Sequence, residues 1–264
     1  MPYIAAIFIY PIKSLDGVAV NRATILDSGA LQHDFPGGTL CDREFAIFND
    51  RGQFVNGKRN AKVHLLRSRW DKVPTLSLQI QGTQEQLFNL QQNHTELETW
   101  FSNYFGEPVQ LAKNSLTGFP DDTIASGPTV ISTATLEEVA SWFPGISVDE
   151  MRQRLRANIE IGGVPPFWED QLFGNAGEKS KFQIGKVLFE GINPCQRCIV
   201  PTRNSQTGET YPNFQKIFDQ KRQETLPEWV NLSRFNHFFK LSVNTTIPAS
   251  EAGKIIQLGD EISL

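Results

Sequence analysis

Short runs of β-forming residues, each closed by glycine, proline or Asp-Gly turn chemistry, crowd the first ninety positions and restrict what this chain can become. Ile4–Tyr10 is dense in apolar residues and stops at Pro11. Its poor alternation predicts a strand buried on both faces. Asp16-Gly17 supplies a turn, and Val18–Leu26 reads as a second strand. Phe45–Phe48 and Gln53–Val55, separated by Asn49–Gly52, predict a hairpin. Thr75–Ile80 alternates and ends near Gly82. Strands this short and this closely spaced build a small barrel or a sandwich. His33–Thr39, which contains Pro36, Gly37 and Gly38, reads as a mobile loop insertion.

Helical signals enter later. Thr95 and Glu98 form a capping-box pattern ahead of Leu97, Trp100, Phe101 and Phe105, and Gly106 is the stop. Thr135 with Glu138 repeats the pattern before Val139 and Trp142, with Pro144 beyond. Ser147 with Glu150 opens a third helix ending near Arg156, and Phe214–Lys221 predicts a fourth. Asn158–Ile161, Phe182–Phe189, Phe238–Val243 and Lys254–Leu264 read as strands. The boundary between a β-rich first unit and a mixed second one falls near residue 92, dividing the chain into 1–92 and 93–264. A length of 264 residues accommodates either one large domain or two small ones.

Charge and cysteine content exclude several classes. A net charge of −4 argues against general nucleic-acid binding. No apolar run approaches the roughly 20 residues that span a bilayer. The opening MPYIAAIFIYPIKS lacks a basic leader and continues into a strand, so no signal peptide is expected. With only Cys41, Cys195 and Cys198, a disulfide framework is not expected, and a reducing, cytoplasmic setting fits better.

The chemistry concentrates in Asn193–Gly208, NPCQRCIVPTRNSQTG. It follows a strand-like run at Lys186–Glu190 and ends in turn residues, so it reads as a loop held by a rigid scaffold. Arg197 stands against Cys198, and a thiolate beside a guanidinium is a stabilised soft ligand. Cys198 is therefore expected to bind a metal through sulfur. Three other readings of the Cys195–Cys198 pair stay open: half a zinc site, a thioredoxin-like redox pair, or a structural thiol pair. Lys13-Ser14, Arg43, Lys58-Arg59, Arg156 and Arg197 all lie at predicted element ends. Converging, they would hold one anion such as a phosphate; taken singly, each is an ordinary solvated charge. Ser126 and Asn158 are short polar residues suited to fixing a ligand's orientation.

At this point the chain resembles a family. YPIKSLDGVAV (Tyr10–Val20), DREFAIFNDRGQFV (Asp42–Val55), SGPTVIS (Ser126–Ser132), LRANIEI (Leu155–Ile161), FWED (Phe167–Asp170) and above all PCQRCIVPTRNSQTGE (Pro194–Glu209) are similar to MOSC proteins that carry an N-terminal β-barrel domain, the group containing the amidoxime-reducing proteins. The resemblance implies an α+β, mainly β fold: a MOSC-type β-barrel with peripheral helices, preceded by a β-barrel-like domain. It also implies a molybdenum cofactor whose metal is ligated by Cys198. Lys13, Ser14 and Arg43 match cofactor-binding positions on one side, and Ser126, Arg156, Asn158 and Arg197 match them on the other. Pyridoxal phosphate binding also belongs to descriptions of the family. The implied reaction is reduction of an N-hydroxylated small molecule by oxygen removal, with Asp170 as a candidate proton carrier or anchor. Since no ferredoxin-like stretch with four cysteines follows, a separate ferredoxin- or flavoprotein-type electron donor is expected. The alternative is a carrier of molybdenum cofactor, or of sulfur as a Cys198 persulfide. The chain departs from the family at Arg203 and Asn204, where an acidic turn is expected, at Phe238, where an aromatic hydroxyl is expected, and at Ala125, where a threonine is expected.

Overall fold

The computed structural model describes residues 1–264. Its largest element is an eight-stranded sheet, in the spatial order Ile262–Ser263, Ser180–Ile184, Val187–Gln196, Lys240–Thr246, Val130–Ser132, Ile159–Gly162, Tyr3–Ile9 and Val18–Val20. The first strand of the chain thus belongs to the sheet of its second half, pairing antiparallel with Ile159–Gly162. In exchange, Ile255–Gln257 from the far end pairs with Arg22–Ile25 in a four-stranded sheet of the first half. A three-stranded meander (Leu66–Lys72, Thr75–Ile80, Gln86–Asn89) and the pair Phe45–Asn49 with Val109–Lys113 complete the β structure. Four α-helices, His94–Phe105, Thr133–Ser141, Val148–Leu155 and Phe214–Glu224, lie among these sheets. The fold is the mainly β, α+β architecture that the resemblance implies.

Several local expectations are corrected. The first strand is buried on one face, not two. A bulge between Ile4 and Ala6 shifts its register, which hides the alternation in the sequence. Ile4, Ile7 and Ile9 enter the core, while Ala5, Ala6 and Phe8 wall the cavity described below. His33–Thr39 is no loop: Leu31–Phe35 and Gly38–Cys41 form a hairpin turning at Pro36-Gly37, with Gly37 at φ +87°. Gly37 supplies the left-handed backbone that such a turn needs. The second helix starts at Thr133, and Ser132 is its cap, its Oγ accepting from the Thr135 amide at 3.1 Å. Ser147 caps the third helix as expected, its Oγ accepting from the Glu150 amide at 3.1 Å, while the Glu150 carboxylate turns to Arg154 and Ser205 instead of closing a capping box. Gly106 ends the first helix in the left-handed region at φ +80°.

Three apolar cores hold these elements. One joins Ile4, Ile7 and Ile9 to Val130, Ile159 and Val243 across the large sheet. A second places Leu97 and Phe101 of the first helix against Leu66, Leu76 and Leu78. The third packs Leu136, Val139 and Phe143 on Phe214 and Phe218. We propose 1–92 and 93–264 as units of sequence, with the helix His94–Phe105 packed back onto the first of them.

Beneath the third core lies a buried polar network. Arg222, wholly buried, pairs with Asp170, and the adjacent Glu169 accepts from Thr135 Oγ1 at 3.0 Å. Burial, reinforced by Asp170, raises the Glu169 carboxyl from 4.5 to about 7. The native state then binds this proton more tightly than the unfolded chain does. The resulting stability is full below pH about 4.5 and is lost as pH rises through about 7. A shift of that size corresponds to about 3 kcal/mol at most. Glu169→Gln, which cannot ionise, is expected to flatten this decline in urea titrations between those pH values; an unchanged slope contradicts the assignment.

Candidate functional site

A cavity of about 1340 Å³ lies between the two halves. Its floor is the outward face of the first strand, and its walls come from both halves of the chain. Ten basic side chains line it against six carboxylates, in a chain whose overall charge is −4. A low-dielectric hollow with such a bias focuses a positive potential.

Of the residues singled out from sequence, Ser14, Arg43, Ser126, Arg156, Arg197 and Cys198 all line this cavity. Backbone geometry explains how several of them come to point inward. Ser14 (φ 75°), Arg43 (φ 55°) and Arg156 (φ 56°) adopt left-handed conformations without being glycine. Arg156 occupies the helix C-terminal position, its amide donating to the Arg152 carbonyl at 2.9 Å, where glycine is the usual residue. Such residues cost roughly 1–3 kcal/mol each and collect at functional sites. Ser242 (φ 65°) is also left-handed and accepts from Arg197 Nη1 at 3.2 Å through its hydroxyl.

Tyr10, which sequence reasoning missed, organises the centre. Its ring lies 4.2 Å from the Arg156 guanidinium and 5.9 Å from that of Arg43. Its amide donates to Asp42 Oδ1 at 2.8 Å, and its hydroxyl donates to the Ala157 carbonyl at 3.2 Å. Burial pushes the phenol up to about 12. Arg43 also pairs with Asp42. Arg156 has no carboxylate partner; its Nη2 donates to the Leu15 carbonyl at 2.6 Å. Burial, with Arg43 acting in the same direction, lowers its pKa. It is a desolvated cation short of a counter-ion.

Lys13 stands behind the wall rather than on it. Its Nζ donates to Asp121 Oδ1 at 2.8 Å and to the Phe119 carbonyl at 2.9 Å. Burial pushes the Asp121 carboxyl up, but Lys13 and Arg43 together outweigh it and hold it at about 2. Lys13 therefore lends charge through Asp121, a cavity residue. Asn158 is also placed behind the wall. It is fully buried, its Nδ2 donating to the Phe8 carbonyl at 3.1 Å and its Oδ1 accepting from the Thr129 amide at 3.1 Å. It clamps the first strand to the segment entering Val130–Ser132. Asp170 is not among the residues lining the cavity; it is buried and pairs with the buried Arg222.

The cysteine segment differs from expectation in two ways. The strand continues through Pro194 and Cys195 to Gln196, because register shifts at Gly191–Asn193 and Pro194–Gln196 absorb the proline. Arg197 turns toward Cys195, its Nη1 donating to Cys195 Sγ at 3.3 Å, with Nη2 bonded to the Leu155 carbonyl. The guanidinium thus serves the first thiol and not Cys198. Cys198, half-buried and free, stands just past the strand on the cavity wall. No group of three or more histidine, cysteine or carboxylate side chains able to hold an ion forms in the chain. A metal here must arrive with most of its own ligands.

Comparison with known proteins adds to this geometry. The profile of the MOSC N-terminal beta barrel domain matches residues 1–106, and that of the MOSC domain matches residues 127–263. The chain belongs to the MOSC family. Among its relatives is a molybdenum cofactor sulfurase of Drosophila mojavensis, 27% identical over 238 residues, an alignment covering 80% of this chain and 29% of the relative. Molybdenum cofactor sulfurases of Homo sapiens (21% over 265 residues; 81% of this chain, 28% of the relative) and Caenorhabditis elegans (24% over 237; 81% and 30%) are similar. The chain spans under a third of the length of these relatives. No helix is long and apolar enough to cross a membrane.

The MOSC cavity depends on Asn158 for its floor. Asn158→Leu strands a buried amide and a buried carbonyl and is expected to cost about 2–4 kcal/mol in urea denaturation. Stability equal to the parent's, with loss of ligand binding alone, contradicts the clamping role.

Proposed function

We propose that this MOSC protein binds a molybdenum cofactor in the cavity and reduces N-hydroxylated compounds there, drawing electrons from a ferredoxin- or flavoprotein-type donor. The observation that carries this reading is the Cys198 thiol on the wall of a cavity rich in unpaired cations. The donor set supports the fit. Eight buried side-chain polar atoms in the chain lack a partner, and four of them, His64 Nε2, Thr133 Oγ1, Asn193 Oδ1 and Arg203 Nε, belong to residues lining this cavity. Buried polar atoms are rarely left unmet without reason, and a polar, anionic pterin offers partners to all four types.

Cys198 is assigned as the protein's sulfur ligand to the metal. Arg156 supplies an uncompensated charge, Arg43 a second charge shared with Asp42, and Ser14 and Ser126 hydroxyls for orientation. Ser126 Oγ already donates to the Ser28 carbonyl at 3.2 Å, which leaves its lone pairs free to accept. Lys13 and Asn158 position this set without touching the ligand. When bound, the group supplies two-electron removal of oxygen from N–OH. The protein supplies orientation, counter-charge and partial exclusion of water.

A second reading is favoured by a different observation. Cys195 and Cys198 share the cavity wall, and the curated relatives are named as sulfurases. On that reading Cys198 carries sulfur as a persulfide, or the chain carries the cofactor without turnover. Cys198→Ala separates the readings. Reductase activity predicts stoichiometric molybdenum in the parent and a fall of about 100-fold or more in N-hydroxy reduction in the variant, with the urea midpoint retained. Undiminished reduction by Cys198→Ala overturns the assignment. A mass gain of one sulfur on the Cys198 peptide, without N-hydroxy turnover, selects the carrier.

A further inference from the structure

We propose that Arg203 and His64, one from each half of the chain, form an anion subsite that selects substrates bearing a carboxylate. This rests on the reductase reading and names the substrate class for it.

Four of the eight cavity arginines are paired with carboxylates. Arg43 pairs with Asp42, Arg67 with Asp16 at 3.1 Å, Arg152 with Glu160 at 2.5 Å and Arg154 with Glu150 at 2.6 Å. Arg203 pairs with no carboxylate. Its Nη1 donates to the Gly208 carbonyl at 3.2 Å, and its buried Nε has no partner. A guanidinium carries five donors, so most of this one's capacity is unspent. The residue sits one 3-10 turn (Val200–Thr202) after Cys198, its own amide donating to Val200. A compact substrate can therefore reach both positions.

His64 comes to the same place from the other half. It is 8% exposed, lines the cavity, and its Nε2 has no partner. Two glycines bring it there. A Cβ on Gly57 would stand 2.8 Å from His64 Nε2, and one on Gly208 would stand 3.5 Å from His64 Cβ. The imidazole is thus wedged between the turn at Gly57 and the turn whose carbonyl holds Arg203. Burial lowers its pKa; a backbone contact at Gly57 opposes this, and Arg203, Arg156 and Arg67 lower it further. With Arg156 assigned above to the cofactor and Arg67 paired with Asp16, Arg203 is the guanidinium left unpaired beside His64, and its one positive charge balances a single negative charge. That matches a carboxylate, whose two oxygens suit guanidinium's fork; a phosphate dianion needs more counter-charge. A cavity of about 1340 Å³ exceeds an ordinary small-molecule site, leaving room for substrate beside the cofactor.

The test compares benzamidoxime with 4-carboxybenzamidoxime on the cofactor-loaded protein, alongside benzoate and benzamide binding by calorimetry, which needs no turnover. The parent is expected to favour the carboxylated substrate in kcat/KM and to bind benzoate over benzamide. Arg203→Gln should lower the charged-to-neutral kcat/KM ratio about tenfold or more and weaken benzoate to a similar degree. Arg203→Lys should restore part of both, and His64→Ala should show a smaller loss. An unchanged ratio, no preference for benzoate in the parent, or loss of molybdenum from Arg203→Gln overturns the proposal; the last outcome assigns Arg203 to the cofactor. Benzoate binding that depends on Arg203, with neither amidoxime turned over, sustains the subsite and defeats the reductase reading instead.

Discussion

Two guanidinium groups of like charge, contributed by opposite halves of the chain, share the ring of Tyr10. Arg156 lies 4.2 Å from its centre and Arg43 5.9 Å. Each contact is worth about 0.5–2 kcal/mol; the residue is fixed in turn by Asp42, which accepts from its backbone amide, and by the Ala157 carbonyl, which accepts from its hydroxyl. Gly17 makes the placement possible: a Cβ there would stand 2.5 Å from the ring. On the proposed reading, mutual repulsion between the two cations is relieved when an anion joins them. Such an arrangement is built for binding, since Asp42 neutralises only one of the pair.

The interlocked strands make this platform rigid. The first strand ends beside Tyr10 while lying within the second half's sheet, and Arg22–Ile25 accepts Ile255–Gln257 from the chain's far end. Neither half is completed by its own residues alone. Arg43 and Arg156 are therefore held at a fixed separation by backbone pairing and not by side-chain contacts only. Large apolar cores offset the left-handed backbone at Ser14, Arg43, Arg156 and Ser242. The strain sits where the ligand is proposed to bind, which is where preorganisation is most useful.

Much of this was legible in the sequence because it is local. Strand density, the stop at Gly106 and the cap at Ser147 depend on near neighbours, and the structure reproduces them. The clustering of Ser14, Arg43, Arg156, Arg197 and Cys198 around one cavity was readable from the resemblance and from charges placed at element ends. What was not legible depends on long-range placement. The exchange of end strands leaves no local trace, and the bulge at Ile4–Ala6 disguises one-sided burial as two-sided. Pro36-Gly37 carries the same residues in a hairpin turn as in a loop. Asn158 and Asp170 match family positions, yet their carbonyl, amide and Arg222 partners lie 29 residues or more away. The adjacency of Arg197 to Cys198 suggested a contact that the strand's pleat directs to Cys195 instead.

The central claim is that the sulfur of Cys198 completes a metal centre inside this cationic cavity. X-ray absorption at the molybdenum edge, on protein reconstituted with the cofactor, tests it most directly. The account predicts a sulfur shell that loses one scatterer in Cys198→Ala and none in Cys195→Ala. Identical sulfur shells in the parent and the Cys198→Ala variant, at equal molybdenum content, contradict it.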